Sequence, residues 1–294
     1  MKNRSSSIGL LFASFALLII GLTILLPLGG VIFLSITDCD LYSLLQSTNM
    51  RYVGLSNYAF LMNSPLFWQS VINTLYCVLL GVPLSFLLAL ICALLIESSP
   101  ALIQSFSRKV LFLPVVTTLT SMALVWRSIF NTRLGLMNWV LALLGISPVD
   151  WLGDQRFALL TLIFLSVWKN FGYNMMIFLA GLKSIPHSLY EAARLDGAGW
   201  WDCFRYISLP MLKPVSVVVI IISLSGYFQF FAEPYLMTSG GPLERTTSLL
   251  FLTYQEAFQW WHFGKASALS FLLFSLIILT TASIFWIFNK VTTL

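Results

Sequence analysis

Charged side chains are scarce in this sequence. Only 9% of its 294 residues are Asp, Glu, Lys or Arg, whereas 59% are hydrophobic, and the mean hydropathy is +0.89. A soluble domain carries about 25% charged residues, so a water-exposed surface cannot be built from this composition. The scarcity of charge excludes an ordinary soluble domain and predicts an integral membrane protein covered largely by lipid.

Histidine and closely spaced cysteine are also nearly absent. The only histidines, His187 and His262, are far apart in the sequence, which excludes a histidine-rich metal site. The four cysteines form no CxxC pair and two lie in apolar runs, so a structural disulfide is not expected. The net charge of +5 is dispersed without a basic stripe, which argues against a nucleic-acid partner.

Six apolar stretches are long enough to cross a bilayer, which takes about 20 residues. The first follows Lys2 and Arg4, and its charge-free length exceeds the apolar core of a signal peptide, about 7 to 15 residues, so we expect a retained anchor. Together they predict an all-α membrane protein with one transmembrane domain over residues 1–294. The predicted spans cover residues 8–36, 67–96, 110–130, 157–182, 215–236 and 266–288.

The distribution of Lys and Arg predicts the orientation of the spans. Nine of these residues fall in the N-terminal tail, the loops 97–109 and 183–214, and the C-terminal end, whereas five fall in the loops of the opposite side. The more positive side is expected to be cytoplasmic. Both termini and the loop 183–214 are therefore predicted to lie in the cytoplasm.

Sequence motifs for enzymatic chemistry are missing. A P-loop needs GxxxxGK followed by Ser or Thr, but the sole Gly-Lys pair, Gly264-Lys265, is followed by Ala266. No GxSxG motif is present, neither histidine falls within a predicted span, and no pair of carboxylates is expected at mid-membrane. The sequence thus predicts neither an ATPase nor an intramembrane hydrolase.

The loop 183–214 contains a charged element that is built like a small fold, and we call residues 184–210 the bracket. Ser184 is suited to cap a first helix with Pro186 in its first turn. Gly197 is expected to end that helix, because glycine accepts the left-handed backbone conformation of a helix end. A second helix is predicted after it, attached to the bundle by an apolar face of Trp200, Phe204 and Ile207.

Spacing alone leaves two interpretations of the bracket open. It is either an ordinary amphipathic connector or a docking element for another protein. The docking interpretation rests on a face of small residues, Ala192 and Ala193, which lets another backbone approach closely, with Glu191 and Arg194 beside it to select the partner.

The bracket resembles the EAA loop of ABC-importer permeases, whose pattern is EAA, three residues, Gly, nine residues and then I-x-LP. In that family the loop forms a coupling helix that docks in a groove of a cytoplasmic ATPase. The resemblance therefore implies ATPase coupling through Glu191, Ala192, Ala193, Arg194 and Gly197. The matching positions in this sequence are Glu191, Ala192, Ala193, Gly197, Ile207, Leu209 and Pro210.

Other stretches resemble the maltose-permease-like, carbohydrate-uptake branch of these permeases. The compact six-helix members are the better match, because the large periplasmic insertion and the additional N-terminal helices of the larger maltose permease subunit are missing. The resembling stretches are GLSNYAFLM (54–62), INTL (72–75), LFLP (111–114), VWKNFGYNMMIFLAGLKSIP (167–186) and YLMTSGGPLERTTSLL (235–250).

The resemblance implies a division of labour in a bacterial inner (plasma) membrane. This chain would pair with a second homologous permease, and an extracytoplasmic binding protein would deliver the solute. Two cytoplasmic ATPase subunits would bind ATP and Mg, so that this chain holds no cofactor itself and switches between two states under nucleotide control. A di- or oligosaccharide is the expected solute, and the lack of a cationic cluster favours a neutral one.

Polar and aromatic side chains on the fourth and fifth spans predict the substrate pathway. Polar groups inside a membrane are costly and face a cavity or a partner helix. Aromatic rings can stack on the C–H faces of a sugar while amides bind its hydroxyls, but hydrogen bonding between helices is the alternative role for each residue. The predicted pathway residues are Asn170, Tyr173, Asn174, Ser223, Tyr227, Gln229 and Phe230.

Two charged residues are also expected within these spans. A lone charge there is costly, so an ion pair between Lys169 and Glu233 is predicted, with a partner permease or the membrane interface as alternatives. TSGGP at 238–242 favours a flexible turn, either a plain connector or a contact for the binding protein. The alternative function, a secondary transporter or channel of six helices using Lys169 and Glu233 for ion coupling, gives the bracket no role.

Overall fold

The computed structural model describes residues 14–46 and 50–292, and apart from an isolated β-bridge between Thr37 and Tyr52 its regular elements are helical. The prediction of an all-α chain is confirmed. Two short π turns, Pro234–Thr238 and Gln255–Gln259, accompany the helices. The helices are α1 Ser14–Ser35, α2 Leu41–Gln46, α3 Ser56–Met62, α4 Pro65–Glu97, α5 Ala101–Val116, α6 Leu119–Ile129, α7 Leu136–Leu143, α8 Ala158–Lys183, α9 His187–Leu195, α10 Trp200–Met211, α11 Lys213–Phe228, α12 Leu249–Tyr254 and α13 Phe263–Thr292.

Four of these helices, α1, α4, α8 and α13, are long and apolar enough to cross a membrane alone. Two further apolar pairs meet at sharp bends, α5 with α6 at 98° and α10 with α11 at 64°. Counting each bent pair as one span gives up to six, so the number of six spans stays a prediction. The start of the predicted first span, with Lys2 and Arg4, lies outside the described residues.

The predicted third span, residues 110–130, is not one continuous helix. Between α5 and α6, Thr117 and Thr118 have extended backbone with ψ angles of 141° and 138°. The hydroxyl of Thr117 donates to the carbonyl of Pro114 at 2.8 Å, and the hydroxyl of Thr118 donates to that of Ser121 at 2.9 Å. β-Branched threonines favour extended backbone, which suits the bend. A hydropathy profile does not predict the bend, because it ranks side chains by polarity and contains no information on backbone conformation.

The predicted fifth span, residues 215–236, is interrupted as well. α11 ends at Phe228, and Gln229 follows it with non-helical backbone angles of φ −93° and ψ 27°. Helical structure resumes only shortly before the π turn that starts at Pro234. Because proline has no N–H to donate to a preceding turn, Pro234 suits the first turn of the segment that resumes, where the structure places it.

The chain divides into two compact units, the first formed by Met1–Phe67 and Leu252–Ser275. In its described part, the side-chain amide of Asn57 donates to the carbonyls of Ser35 at 2.9 Å and Thr37 at 2.7 Å. The hydroxyl of Tyr58 donates to the Ser35 hydroxyl at 2.8 Å. A side chain at Gly264 would overlap the carbonyl of Thr37, so glycine is needed there. The G-L-x-N-Y segment therefore fastens the end of α1.

The second unit comprises Trp68–Phe251 and Leu276–Leu294. Its buried core is formed by α4 and α8, where the rings of Phe86 and Phe178 meet edge to face with centroids 5.2 Å apart. A side chain at Gly172 would overlap the carbonyl of Leu111, so α5 and α8 approach at backbone distance. This packing fixes α8, whose last residue, Lys183, immediately precedes the bracket.

Candidate functional site

The first helix of the bracket, α9, ends where glycine predicts it. Gly197 has a φ angle of +82°, in the left-handed region. Its N–H donates to the carbonyl of Arg194 at 3.1 Å, and the N–H of Ala198 donates to the carbonyl of Ala193 at 2.9 Å. These bonds satisfy carbonyls that a helix end otherwise leaves open. The prediction that Gly197 ends this helix is confirmed.

The predicted start of α9 is wrong in one detail. Ser184 does not cap it, because α8 extends to Lys183 and the Ser184 hydroxyl donates back to the carbonyl of Gly181 at 2.7 Å. Pro186 is the residue before the helix, with φ −58° and ψ 128°, rather than a member of its first turn. The hydroxyl thus serves the end of one helix instead of the start of the next.

The predicted attachment of the second bracket helix also needs correction. Trp200 is 63% exposed, and its ring stacks on that of Phe204 at 5.7 Å. The buried side chains of α10 and of its junction with α11 are those of Cys203, Ser208 and Leu212. Of the predicted face, Ile207 packs against the core as expected, whereas Trp200 does not, so the face that holds the bracket is rotated away from Trp200.

A pair of hydroxyl groups connects the two helices of the bracket. The hydroxyls of Tyr190 and Ser208 are hydrogen-bonded at 2.9 Å. Glu191, Ala192 and Arg194 are exposed and Ala193 is half-buried. Glu191 and Arg194 also line a cavity beside α4, and within the part of the chain that the structure describes neither charged group forms an ion pair. The predicted face of small and charged residues is therefore open to a partner.

A cavity of about 410 Å³ separates the bracket from the last turn of α4. One carboxylate oxygen of Glu97 is buried without a hydrogen-bond partner. The lining of the cavity includes Glu97, Tyr190, Glu191, Arg194, Trp200 and Cys203.

The predicted pathway residues fall into two groups, of which the first bonds helix to helix. The side-chain amide of Asn174 donates to the hydroxyl of Ser223 at 2.9 Å, and both residues are buried. The hydroxyl of Tyr227 is bonded to that of Ser85 at 2.6 Å, and a side chain at Gly81 would overlap the Tyr227 ring. Asn174, Ser223 and Tyr227 therefore have the alternative role, which is hydrogen bonding and packing between helices.

The second group leaves side chains accessible. Tyr173 is 46% exposed, and the exposed Gln229 donates from its amide to the hydroxyl of Ser225 at 3.1 Å. Asn170 is half-buried, with its amide 3.4 Å from the Ser166 hydroxyl. Phe230 is buried. Tyr173, Gln229 and Asn170 are thus the members of the predicted set that can meet a solute, and that role stays a prediction.

Glu233 has a different neighbour from the one expected. Its carboxylate accepts a hydrogen bond from the Ser166 hydroxyl at 3.0 Å and is buried. Lys169 does not come within 4.0 Å of it, and His262–Glu256 is the only ion pair among the described residues. The ion pair of Lys169 with Glu233 is therefore absent from this conformation. Sequence reasoning missed Ser166, since a serine within an apolar helix gives no distinctive signal.

The segment from Thr238 to Leu249, which we call the outer loop, is densely bonded rather than a flexible turn. The Asn73 amide donates to the carbonyls of Glu244 at 3.1 Å and Thr247 at 2.8 Å. The N–H of Leu249 donates to the hydroxyl of Thr74 at 2.9 Å. The side chains of Thr246, Thr247 and Ser248 are fully buried. The INTL stretch, which includes Asn73 and Thr74, thus anchors this loop.

Comparison with known proteins finds relatives that match nearly the whole length of the chain. The sequence profile of binding-protein-dependent transport system inner membrane components matches residues 51–293. A trehalose/maltose transport system permease protein of Thermococcus litoralis is 32% identical over 278 residues, covering 95% of this chain and 92% of the relative. A lactose transport system permease protein of Rhizobium radiobacter is 32% identical over 270 residues, covering 90% and 88%.

A solved structure shares the fold. A bacterial ABC transporter described as involved in the import of the acidic polysaccharide alginate superposes with a TM-score of 0.80 at 21% identity, covering 98% of this chain and 97% of that one. At this identity the similarity speaks for the fold alone. The profile match sets aside the alternative of a secondary transporter or channel, because that profile describes inner membrane components of binding-protein-dependent transport systems.

Proposed function

The chain belongs to the family of binding-protein-dependent transport system inner membrane components, and we propose that it forms half of the translocation pathway for a neutral di- or oligosaccharide. It is a transport subunit, with ATP hydrolysis in a separate partner. Relatives named for trehalose/maltose, lactose and arabinooligosaccharide transport support a carbohydrate. The accessible Tyr173 supplies a ring, and Asn170 and Gln229 supply amides, which is the chemistry a sugar needs.

The observation that carries the coupling part of the proposal is the open face of α9. Glu191, Ala192 and Arg194 are exposed and make no ion pair within the described part of the chain. Gly197 sets the end of the helix. We propose that this face docks on a cytoplasmic ATPase subunit that binds ATP and Mg. A second permease and a second ATPase subunit complete the assembly, and a binding protein supplies solute at the opposite membrane face.

The docking proposal is tested by placing a bulky cation on the small face. In Ala192→Arg, we expect the ATPase subunits to be lost from the purified complex and ATP-driven uptake to fall at least tenfold. The matched control is Ala101→Arg, the same change at the exposed first residue of α5. Retention of the ATPase subunits and of uptake by Ala192→Arg, at the level of the control, would refute docking at this face.

The substrate part of the proposal has its own test. In vesicles that contain the complete transporter and its binding protein, uptake of labelled neutral disaccharides should require ATP. Tyr173→Ala is expected to lower uptake while leaving the ATPase subunits bound, because the ring is exposed and far along α8 from the bracket. Uptake that does not change in Tyr173→Ala would remove this residue from the pathway.

A further inference from the structure

The segment between α6 and α8, residues 131–156, carries a helix with an uncovered apolar face, and we call this segment the lobe. Its helix, α7, has eight residues and is about 12 Å long, too short to cross a bilayer. Five apolar side chains spaced three and four residues apart share one face, and each is between 39% and 70% exposed: Leu136, Trp139, Val140, Leu143 and Leu144.

The rotation of α7 is fixed from the opposite side by Asn138. Its amide nitrogen donates to the carbonyls of Thr132 at 3.0 Å and Val149 at 2.8 Å. Its amide oxygen accepts from the N–H of Val149 at 3.1 Å and from the indole N–H of Trp151 at 2.9 Å. Asn138 thereby uses two donors and two acceptor sites. These hydrogen bonds fix the side of α7 that carries Asn138 against the lobe, so the apolar side of α7 faces outward.

A series of aromatic contacts joins the lobe to the end of α6 and to the start of α8. Trp126 of α6 stacks on Phe130 at 5.1 Å, Phe130 lies 6.0 Å from Trp151, and Trp151 lies 6.1 Å from Phe157 at the start of α8. Aromatic contacts of this kind stabilise packing beyond the burial of their area. The lobe is thus held at the end of α8 opposite the bracket.

We propose that α7 lies in the membrane interface, with its apolar face among the acyl chains of the leaflet at the end of α8 opposite the bracket. The preceding helix α6 also carries exposed apolar side chains, among them Leu124 and Val125, and with α5 it forms a bent pair that is apolar enough to be a membrane span. The sequence from Leu134 to Val149 contains no charged residue. Trp139 within the face is the residue type that membrane interfaces favour.

Charge around the lobe matches phospholipid headgroups. Arg127, Arg133 and Arg156 flank the apolar face in sequence, are exposed, and form no ion pair within the described part of the chain. The nearby acids are engaged locally: Asp150 accepts from Thr132 and Gly153, and Asp154 accepts from the N–H of Arg156. Arginine binds phosphate oxygens in a two-pronged geometry. Asp150 and Asp154 form no ion pair with these arginines in the described part of the chain, so the guanidinium groups are available to lipid phosphates.

A spin label on the face measures what covers it. The label is attached at Leu143→Cys in the assembled transporter, with the native cysteines replaced by alanine, in vesicles of phosphatidylethanolamine and phosphatidylglycerol. We expect collisions with oxygen to exceed those with a water-soluble nickel chelate several-fold. The matched control is Gln155→Cys, an exposed lobe residue outside the face, where the nickel chelate should dominate. Trp139→Cys repeats the measurement should the first variant not assemble.

Two other outcomes overturn the proposal. Low accessibility of Leu143→Cys to both reagents means that a protein partner, such as the second permease, covers the face. High accessibility to the nickel chelate means that the face lies in water, free for a soluble partner. The headgroup contact is tested by exchanging Arg127, Arg133 and Arg156 for glutamine. Selectivity for spin-labelled phosphatidylglycerol over phosphatidylcholine should fall, and unchanged selectivity refutes the arginine contact.

Discussion

The bracket and the outer loop are both polar segments of an apolar chain, but they satisfy their polar groups in opposite ways. In the outer loop the side chains of Thr246, Thr247 and Ser248 are buried, and hydrogen bonds within the chain engage them. In the bracket Glu191 and Arg194 are exposed and form no ion pair in the described part of the chain. Buried polar groups are satisfied within the chain, whereas the exposed ones of the bracket remain available to water or to another protein.

Each segment contains one glycine with left-handed backbone, and the space around these two glycines can be compared in distances. Gly240 in the outer loop and Gly197 in the bracket have nearly equal φ angles, +86° and +82°. An added side chain at Gly240 would meet the Thr247 hydroxyl at 2.7 Å and the Phe251 ring at 2.8 Å, whereas at Gly197 nothing lies within 4 Å. Both positions therefore require left-handed backbone, but only Gly240 is surrounded by atoms that an added side chain would meet.

The largest effect is expected for Gly240→Ala. Left-handed backbone costs a non-glycine residue about 1 to 2 kcal/mol, and overpacking adds about 1 to 3 kcal/mol. The free energy of unfolding should fall by about 2 to 5 kcal/mol, measured as a large drop in the thermal unfolding midpoint of the solubilised transporter. A midpoint equal to that of Gly197→Ala would show that the outer loop is not packed as described.

A somewhat smaller loss is expected for Asn73→Ala. The change removes the side-chain donor to the carbonyls of Glu244 and Thr247. The Glu244 carbonyl keeps the N–H of Thr247, whereas the buried bond to the Thr247 carbonyl is lost, and an unsatisfied buried group costs about 1 to 3 kcal/mol. We expect a loss of about 2 to 3 kcal/mol in the same unfolding measurement. Gln69→Ala is the control, because Gln69 donates to Asn73 and does not hold the outer loop. Equal midpoints for the two variants would contradict the anchoring role.

Gly197→Ala should cost only the backbone strain, about 1 to 2 kcal/mol. The matched control is Gly199→Ala, whose extended backbone, φ −78° and ψ 178°, suits any residue. We therefore expect an unfolding midpoint near wild type for Gly199→Ala and a modest decrease for Gly197→Ala. A decrease as large as that of Gly240→Ala would mean that Gly197 is packed against something.

The smallest effect on stability is expected for Ala192→Ser. An exposed substitution usually changes stability by less than about 0.5 kcal/mol, and the side chain of Ala192 is exposed. The unfolding midpoint should stay at the wild-type value, and a hydroxyl is small enough to keep the docking face. A clear drop in the midpoint would show that the face already packs against this chain.

Local backbone chemistry explains which features could be predicted. Gly197 ends α9 as expected, because the residue itself carries the left-handed preference. The G-L-x-N-Y segment matches a family pattern whose role the sequence alone does not explain. In the structure, its Asn57 donates hydrogen bonds to two carbonyls at the end of α1. Residue type and spacing suffice where a feature is decided within a few positions of the chain.

Features decided by contacts across the fold could not be predicted in the same way. Glu233 and Lys169 are a plausible pair by charge, but a serine 67 positions away from the glutamate bonds it instead. Asn174 and Ser223 were predicted for the same pathway, and they bond to each other. Hydropathy and periodicity place such residues on helices, but they do not say which facing side chain lies nearest.

Under the proposed coupling, the corner at Leu212 would set the direction in which a displacement of the bracket reaches α11. α10 and α11 meet there at 64°, and Leu212 is buried. By simple projection, a displacement along the axis of α10 has less than half of its length along α11, and the larger component is perpendicular to it. A pull on the bracket would therefore swing α11 sideways more than slide it lengthwise, which favours a widening or narrowing of the space beside that helix over a piston stroke.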